Sequence, residues 1–169
     1  MTELEPGRAP PVRPTLRFML SHPAHVISLG LGSGLAPVAP GTFGTLLGWL
    51  ATRYLHPMLG DVAMFALLGV ALLLGTWAVG VTGRALGESD HGAIVWDEVV
   101  AIAIITAMLP GATTKQVWAF LLFRLLDIAK PGPVGWADRR VKGAVGVMLD
   151  DLVAAALTLL AVAFWIRLL

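Results

Sequence analysis

The groups in this chain best suited to do chemistry are its carboxylates. Eight of the eleven acids, Glu88, Asp90, Asp97, Glu98, Asp127, Asp138, Asp150 and Asp151, fall between positions 88 and 151. Carboxylates inside or beside apolar helices are costly unless they are paired, hydrated or bound to a metal. Any one of them reads as readily as a helix cap or an ion-pair partner. That plain reading weakens for Asp97-Glu98, Asp127 and Asp150-Asp151 together, because separate apolar segments bring them to one boundary. A hard divalent cation suits the set, since Mg²⁺ takes oxygen ligands, keeps waters, and is held by a few carboxylates plus a substrate phosphate. Asp97, Glu98, Asp150 and Asp151 are the candidate ligands. Neighbours on a helix point about 100° apart, so one acid of each adjacent pair is expected to face the site. The other is expected to hold a supporting hydrogen bond or a nearby Arg.

Cations are interleaved with these acids: Arg124, Lys130, Arg139, Arg140 and Lys142. They are what a phosphate-bearing ligand needs. For Arg139 and Arg140 the competing reading, contact with anionic lipid headgroups on the cytoplasmic face, is preferred. The loop Ala36 to Gly48, APVAPGTFGTLLG, adds a second phosphate cue. Gly41 and Gly44 permit close backbone approach, and Thr42 or Thr45 can cap a following helix whose free N–H groups attract anions. No Gly-Lys-Ser/Thr follows, and Leu35 and Pro37 stand where the last glycine of G-x-G-x-x-G would fall, so nucleotide binding has no support. His91, in SDHGAIVWDE, is the histidine nearest the acids. It reads as a general acid, a phosphate donor or an ordinary loop histidine.

The elements that must position these groups are apolar. The 169 residues are 57% hydrophobic and 14% charged, far from the quarter charged of a soluble domain, so a membrane protein is the first expectation. Without cysteine, disulfides, thiolate nucleophiles and Cys-based zinc sites are excluded. A net charge of +1 gives no basic excess for nucleic acid. Uncharged runs extend over 35 residues between Arg17 and Arg53 (two histidines aside), 22 between Asp61 and Arg84, 16 from Val99 to Thr114 and 15 from Leu152 to Ile166. No run alternates with period two.

The spacing predicts helices near Leu16–Leu29 (broken, amphipathic or re-entrant), Thr42–Leu55, Val62–Leu86, Ile94–Leu109, Lys115–Ile128 and Val147–Leu168. Leu109-Pro110-Gly111 and Lys130-Pro131-Gly132-Pro133 act as breakers. The expected fold is all-α: a compact polytopic membrane bundle of about six helices, four to five of them membrane-embedded. Residues 1–14 are expected to form a disordered cytoplasmic tail, too acidic at its start for a signal peptide, and 15–169 a single domain. Alternating helices place nine Lys/Arg on one side and three on the other, which makes the first side cytoplasmic.

Four ordered motifs, APGTFGTLLG, IVWDE (Ile94 to Glu98), FRLLDIAKPGPVGWADR (Phe123 to Arg139) and KGAVGVMLDD (Lys142 to Asp151), resemble the phosphatidylglycerophosphatase A family over about Leu29 to Ala161. The chain differs from the family's commonly bulkier Lys-Pro segment in having Gly132 and Pro133. The resemblance implies a Mg²⁺-dependent, multi-pass enzyme of the bacterial inner membrane, with its site facing the cytoplasm. Its lipid substrate would be phosphatidylglycerophosphate, and the product phosphatidylglycerol. In that frame Glu98, Asp150 and either Asp97 or Asp151 hold Mg²⁺. Lys130, Lys142, Arg124 and the loop around Gly41, Thr42 and Thr45 meet the phosphate. Asp127, with Glu98 and His91, supplies proton transfer, or Asp127 is itself the nucleophile. A homo-oligomer is compatible with all of this. The competing reading is a small transporter or ion-binding protein using the same carboxylates; it would spread acids across the bilayer depth. A non-catalytic scaffold is a third reading.

Overall fold

Glycine and proline set where the helices begin, bend and end. The computed structural model describes residues 13–111 and 113–168, and among these there is no strand. The elements are α1 (Leu16–Leu20), α2 (Pro23–Ser28), a 3-10 segment (Gly30–Leu35), α3 (Pro40–Leu86), α4 (Trp96–Met108), α5 (Thr113–Ala129), α6 (Gly132–Arg140) and α7 (Gly143–Leu168). The expected tail, up to residue 12, lies outside the described residues. The N-terminal segment is broken as its composition predicts. Thr15 caps α1 and His22 caps α2, where Pro23 opens the first turn, a position at which a missing N–H costs nothing.

A straight α3 of 47 residues would run about 70 Å, more than twice a bilayer's hydrocarbon core of about 30 Å. It does not run straight. Gly60 adopts φ 73°, ψ 171°, a conformation essentially closed to residues with a Cβ. The chain reverses there. On the first arm, Gly44 packs on Val95 and Gly48 on Val99 and Ile102. On the second arm the order is inverted: Gly75 packs on Trp96, while Met64 and Leu68 cluster with Ala103 and Ala107. The two arms therefore flank α4 as an antiparallel hairpin. Trp96 Nε1 fastens the second arm by donating to the Ala71 carbonyl at 2.9 Å.

α4 is the hub, with nine of its thirteen residues buried. Ala101, Ile102 and Ile105 meet Ala119 and Phe123 of α5 and Ala154, Ala155 and Val162 of α7. Val100 meets Val147 and Met148 of α7 and Val79 of α3. Hence the start of α4, the start of α7, the end of α5 and both outer ends of the α3 hairpin lie at one end of the bundle. The far end is closed by Gln116, whose Oε1 accepts from Trp49 Nε1 (3.1 Å) and Arg53 Nη1 (3.2 Å).

One expectation needs correction. The described residues hold seven α-helices and a 3-10 segment, not about six helices. The additional helix is α6, which follows the Lys-Pro-Gly-Pro breaker directly because proline is tolerated in a first turn. The expected helices Thr42–Leu55 and Val62–Leu86 are the two arms of α3. Four to five membrane-embedded helices were expected; two of the described helices, Pro40–Leu86 and Gly143–Arg167, are by length and composition long and apolar enough to cross a membrane. α4 and α5, with 13 and 17 residues, fall below the roughly 20 needed to span.

Candidate active site

Three carboxylates converge at the bundle end where the helix starts meet. Asp97 and Glu98 stand in the first turn of α4, and Asp151 reaches them from α7. Each offers an oxygen within 4.8 Å of the others. Asp97 and Asp151 are 8% and 2% exposed. Asp97 Oδ1, Glu98 Oε2 and Asp151 Oδ2 are buried with no hydrogen-bond partner among the described residues. Asp127, at the end of α5, adjoins Asp151. Its Oδ2 accepts from Arg124 Nη1 at 2.6 Å, and the same nitrogen lies 3.4 Å from Glu98 Oε1.

One guanidinium, bonded to Glu98 and Asp127, is thus set against a group of four carboxylates. Two unit charges about 5 Å apart repel by roughly 3 kcal/mol at an effective dielectric constant of about 20. The uncompensated charge calls for protons or a cation, and three carboxylates that each offer an oxygen to one small space fit a hard divalent cation that prefers oxygen. Asp97 and Glu98 both reach this group, although adjacent helical residues were expected to diverge. The extra methylene of Glu98 spans the difference. For the Asp150-Asp151 pair the divergence holds. Asp151 turns inward, while Asp150 Oδ2 accepts from Lys130 Nζ at 2.6 Å.

Gly41, at the start of α3, lies against the cluster. A Cβ there would collide with Glu98 Oε1 and sit 3.1 Å from Arg124 Nη2, so only glycine lets the helix start approach this closely. The capping role expected of Thr42 or Thr45 is not what the loop does. The N-cap is Ala39, at φ 49°, without a side-chain cap. The buried Thr45 hydroxyl donates to its own helix at the Gly41 carbonyl, 2.8 Å away. Thr42 is half-buried and its N–H bonds the Ala39 carbonyl at 2.9 Å.

A second, more open ionic group sits beside the first. Lys130 occupies the left-handed region, φ 43°, so the chain turns sharply before Pro131. Its Nζ donates to Asp138 Oδ1 and Asp150 Oδ2, both at 2.6 Å, and lies 3.9 Å from Asp90 Oδ2. Burial works against the ammonium, but the bonds to Asp138 and Asp150 outweigh it and hold Lys130 above its ordinary value. The Lys130 hydrogen bond in turn holds Asp138 below the usual carboxylate range.

A carboxyl depressed on folding contributes stability above its unfolded value, and that stability is lost as pH falls through the folded one. Asp138→Asn is therefore expected to lower the melting temperature near neutral pH and to flatten its decline in acid. Thermal scans from about pH 6 to about pH 3 read both effects; parallel curves for the two proteins would contradict the assignment. Lys142 Nζ donates to the Asp138 main-chain carbonyl at 2.9 Å; Lys142, Arg139 and Arg140 are all exposed. Asp90 and Asp138 join the Lys130 group without a periodic spacing that would single them out in the sequence. His91 is 7% exposed; its Nδ1 accepts from Ala93 N at 3.2 Å and its Nε2 has no partner among the described residues.

Comparison with known proteins identifies the family. Residues 26–166 match the family described as Phosphatidylglycerophosphatase A. The chain is 38% identical over 146 residues to "Phosphatidylglycerophosphatase A" of Escherichia coli (strain K12), covering 84% of this chain and 83% of that protein. It is 35% identical over 156 residues to the Haemophilus influenzae protein of the same name, covering 90% and 96%. A Bacteroides thetaiotaomicron protein with the provisional name phosphatidylinositol-3-phosphatase is 38% identical over 151 residues, covering 83% and 93%. No solved structure matches significantly. With the family matched over residues 26–166 and two such relatives covered over 83% and 96% of their lengths, the chain belongs to the phosphatidylglycerophosphatase A family.

Proposed function

We propose that this protein hydrolyses the terminal phosphomonoester of phosphatidylglycerophosphate, giving phosphatidylglycerol and inorganic phosphate, at the Asp97, Glu98 and Asp151 cluster with bound Mg²⁺. Family membership and the names of two relatives support the reaction. The observation that carries the metal is the trio of buried, unpartnered oxygens on Asp97, Glu98 and Asp151. When bound there, Mg²⁺ supplies charge to the phosphoryl oxygens and acidifies a water for attack.

The chain's own groups do the rest. Arg124, fixed by Asp127 and close to Glu98, stabilises the charge that spreads over the phosphoryl oxygens as the bond to glycerol loosens. Asp127 accepts a proton from the attacking water as the phosphorus–oxygen bond forms, and the departing alkoxide takes a proton from solvent. The competing route, attack by Asp127 itself through an aspartyl phosphate, would leave an acyl phosphate trapped after rapid quench. Lys130 keeps Asp150 turned away from Asp151 and so shapes the rim.

The membrane setting rests on the two long apolar helices and on exposed apolar side chains such as Leu50, Phe65, Leu73, Trp118, Leu160 and Phe164, which a bilayer would cover. The two arms of α3 and α7 cross, with α4 and α5 held among them, so that five segments are embedded. Arg13, Arg17, Arg84, Lys130, Arg139 and Lys142 gather at the site end, against Arg53, Lys115 and Arg167 at the far end. This asymmetry supports a site on the cytoplasmic face of a bacterial inner membrane. A conduit is disfavoured, because α4 after Glu98 and α7 from Leu152 to Ile166 carry no acid.

The test is conversion of phosphatidylglycerophosphate by purified protein in detergent, read by lipid mass and phosphate release. Equal amounts of phosphatidylglycerol and inorganic phosphate are expected. An unchanged lipid pool from folded protein would overturn the reading.

A further inference from the structure

A cavity of about 290 Å³ opens beside the acid cluster, lined among others by Arg13, Pro40, Glu88, Asp90 and His91. It adjoins the cluster on two sides. Pro40 immediately precedes Gly41, which abuts Glu98. Asp90 Oδ2 lies 3.9 Å from Lys130 Nζ, which binds Asp150 next to Asp151.

His91 is the buried polar group in its wall. Its Nδ1 accepts a hydrogen bond from Ala93 N–H at 3.2 Å, so that nitrogen carries no proton. In a neutral imidazole the proton then resides on Nε2. That Nε2–H is a buried donor without an acceptor among the described residues, a costly state unless a ligand completes it. The same wall supplies acceptors, the carboxylates of Glu88 and Asp90, and one cationic side chain, Arg13. A donor and acceptors in the wall of one cavity are together the complement of a hydroxyl group, which accepts and donates at once.

We infer that this cavity is a subsite for the glycerol unit between the two phosphates of the substrate. His91 Nε2–H donates to its free secondary hydroxyl, and Glu88 or Asp90 accepts a hydrogen bond from that hydroxyl. The inference rests on the proposed phosphatase reaction and deepens it. With the terminal phosphate at Asp97, Glu98 and Asp151, the glycerol unit extends past Pro40 into the cavity, and Arg13 meets the phosphodiester beyond it. The pocket selects a phosphomonoester whose neighbouring carbon bears a hydroxyl. His91 is a specificity residue and takes no part in bond making.

The experiment compares kcat/KM for phosphatidylglycerophosphate and for its analogue built on propane-1,3-diol, which lacks only that hydroxyl, in the wild type, His91→Phe and His91→Gln. The wild type is expected to prefer the hydroxylated lipid by about tenfold or more, the consequence of leaving a buried donor unpaired. His91→Phe is expected to cleave both lipids with equal efficiency. His91→Gln, which retains an N–H donor, keeps part of the preference. A merely structural role would lower both rates together and leave their ratio intact. Equal wild-type rates on the two lipids, or a preference that survives in His91→Phe, would overturn the subsite while leaving the reaction standing. Hydrolysis of neither lipid by the wild type would end the phosphatase reading and the subsite with it.

Discussion

Asp151→Asn is expected to lose about 10³-fold or more of phosphate release while the protein remains as stable as the wild type, or becomes more stable, in metal-free buffer. The two halves of this result have one cause. Asp151 is buried among Asp97, Glu98 and Asp127, with Arg124 beside Glu98 and Asp127. An amide of the same shape removes like-charge repulsion from the empty cluster. The same change removes an anionic oxygen from the group that holds the cation and stabilises phosphoryl charge, and interactions of that kind are among the largest in catalysis. Melting curves in detergent with and without Mg²⁺ separate the effects. The wild type should be stabilised by the cation through mass action, and the variant should not. Loss of activity together with loss of folding would mean that Asp151 is a structural residue.

Gly41→Ala is expected to cut kcat/KM by about 100-fold although every carboxylate is retained. The added methyl would collide with Glu98 Oε1 and crowd Arg124 Nη2 at 3.1 Å. Either Glu98 and Arg124 shift or the start of α3 retreats, and misplacement by about 1 Å at a catalytic group costs about that much. Gly69→Ala is the matched control, because a Cβ there meets nothing within 4 Å. In mid-helix, alanine is favoured over glycine, so this control should keep its activity and lose no stability. Comparable losses in both variants would show that the close contact at Gly41 has no bearing on turnover.

These expectations also mark how far the residues alone led. The clustering of acids at one end was legible, because long uncharged runs in α3, α4 and α7 leave few places for charge and short connections force the helices to alternate. The loop glycines were legible as points of close approach, and Gly41 fills that role against Glu98. Which acid of each pair turns inward was not legible. Helical phase gives the angle between neighbours but not the direction of the partner helix. The reach of Glu98 over one extra methylene brought both Asp97 and Glu98 to the same place, while Lys130 drew Asp150 aside. α6 escaped notice because it is a short polar helix with few buried residues, Val134, Gly135 and Ala137, and so has no apolar run to announce it. The hairpin in α3 was seen as two helices, but not the manner of their joining. A single Gly60 at positive φ joins them.

The central claim is that the three carboxylates of α4 and α7 hold a divalent cation on which phosphate release depends. The most direct measurement is phosphate release from phosphatidylglycerophosphate by purified protein stripped with a chelator, then titrated with Mg²⁺, beside Asp151→Asn treated identically. The account predicts no release after stripping, saturable recovery in the wild type, and no recovery in the variant over the same range. Full activity in the stripped wild type, or a Mg²⁺ titration in Asp151→Asn that matches the wild type, would contradict it.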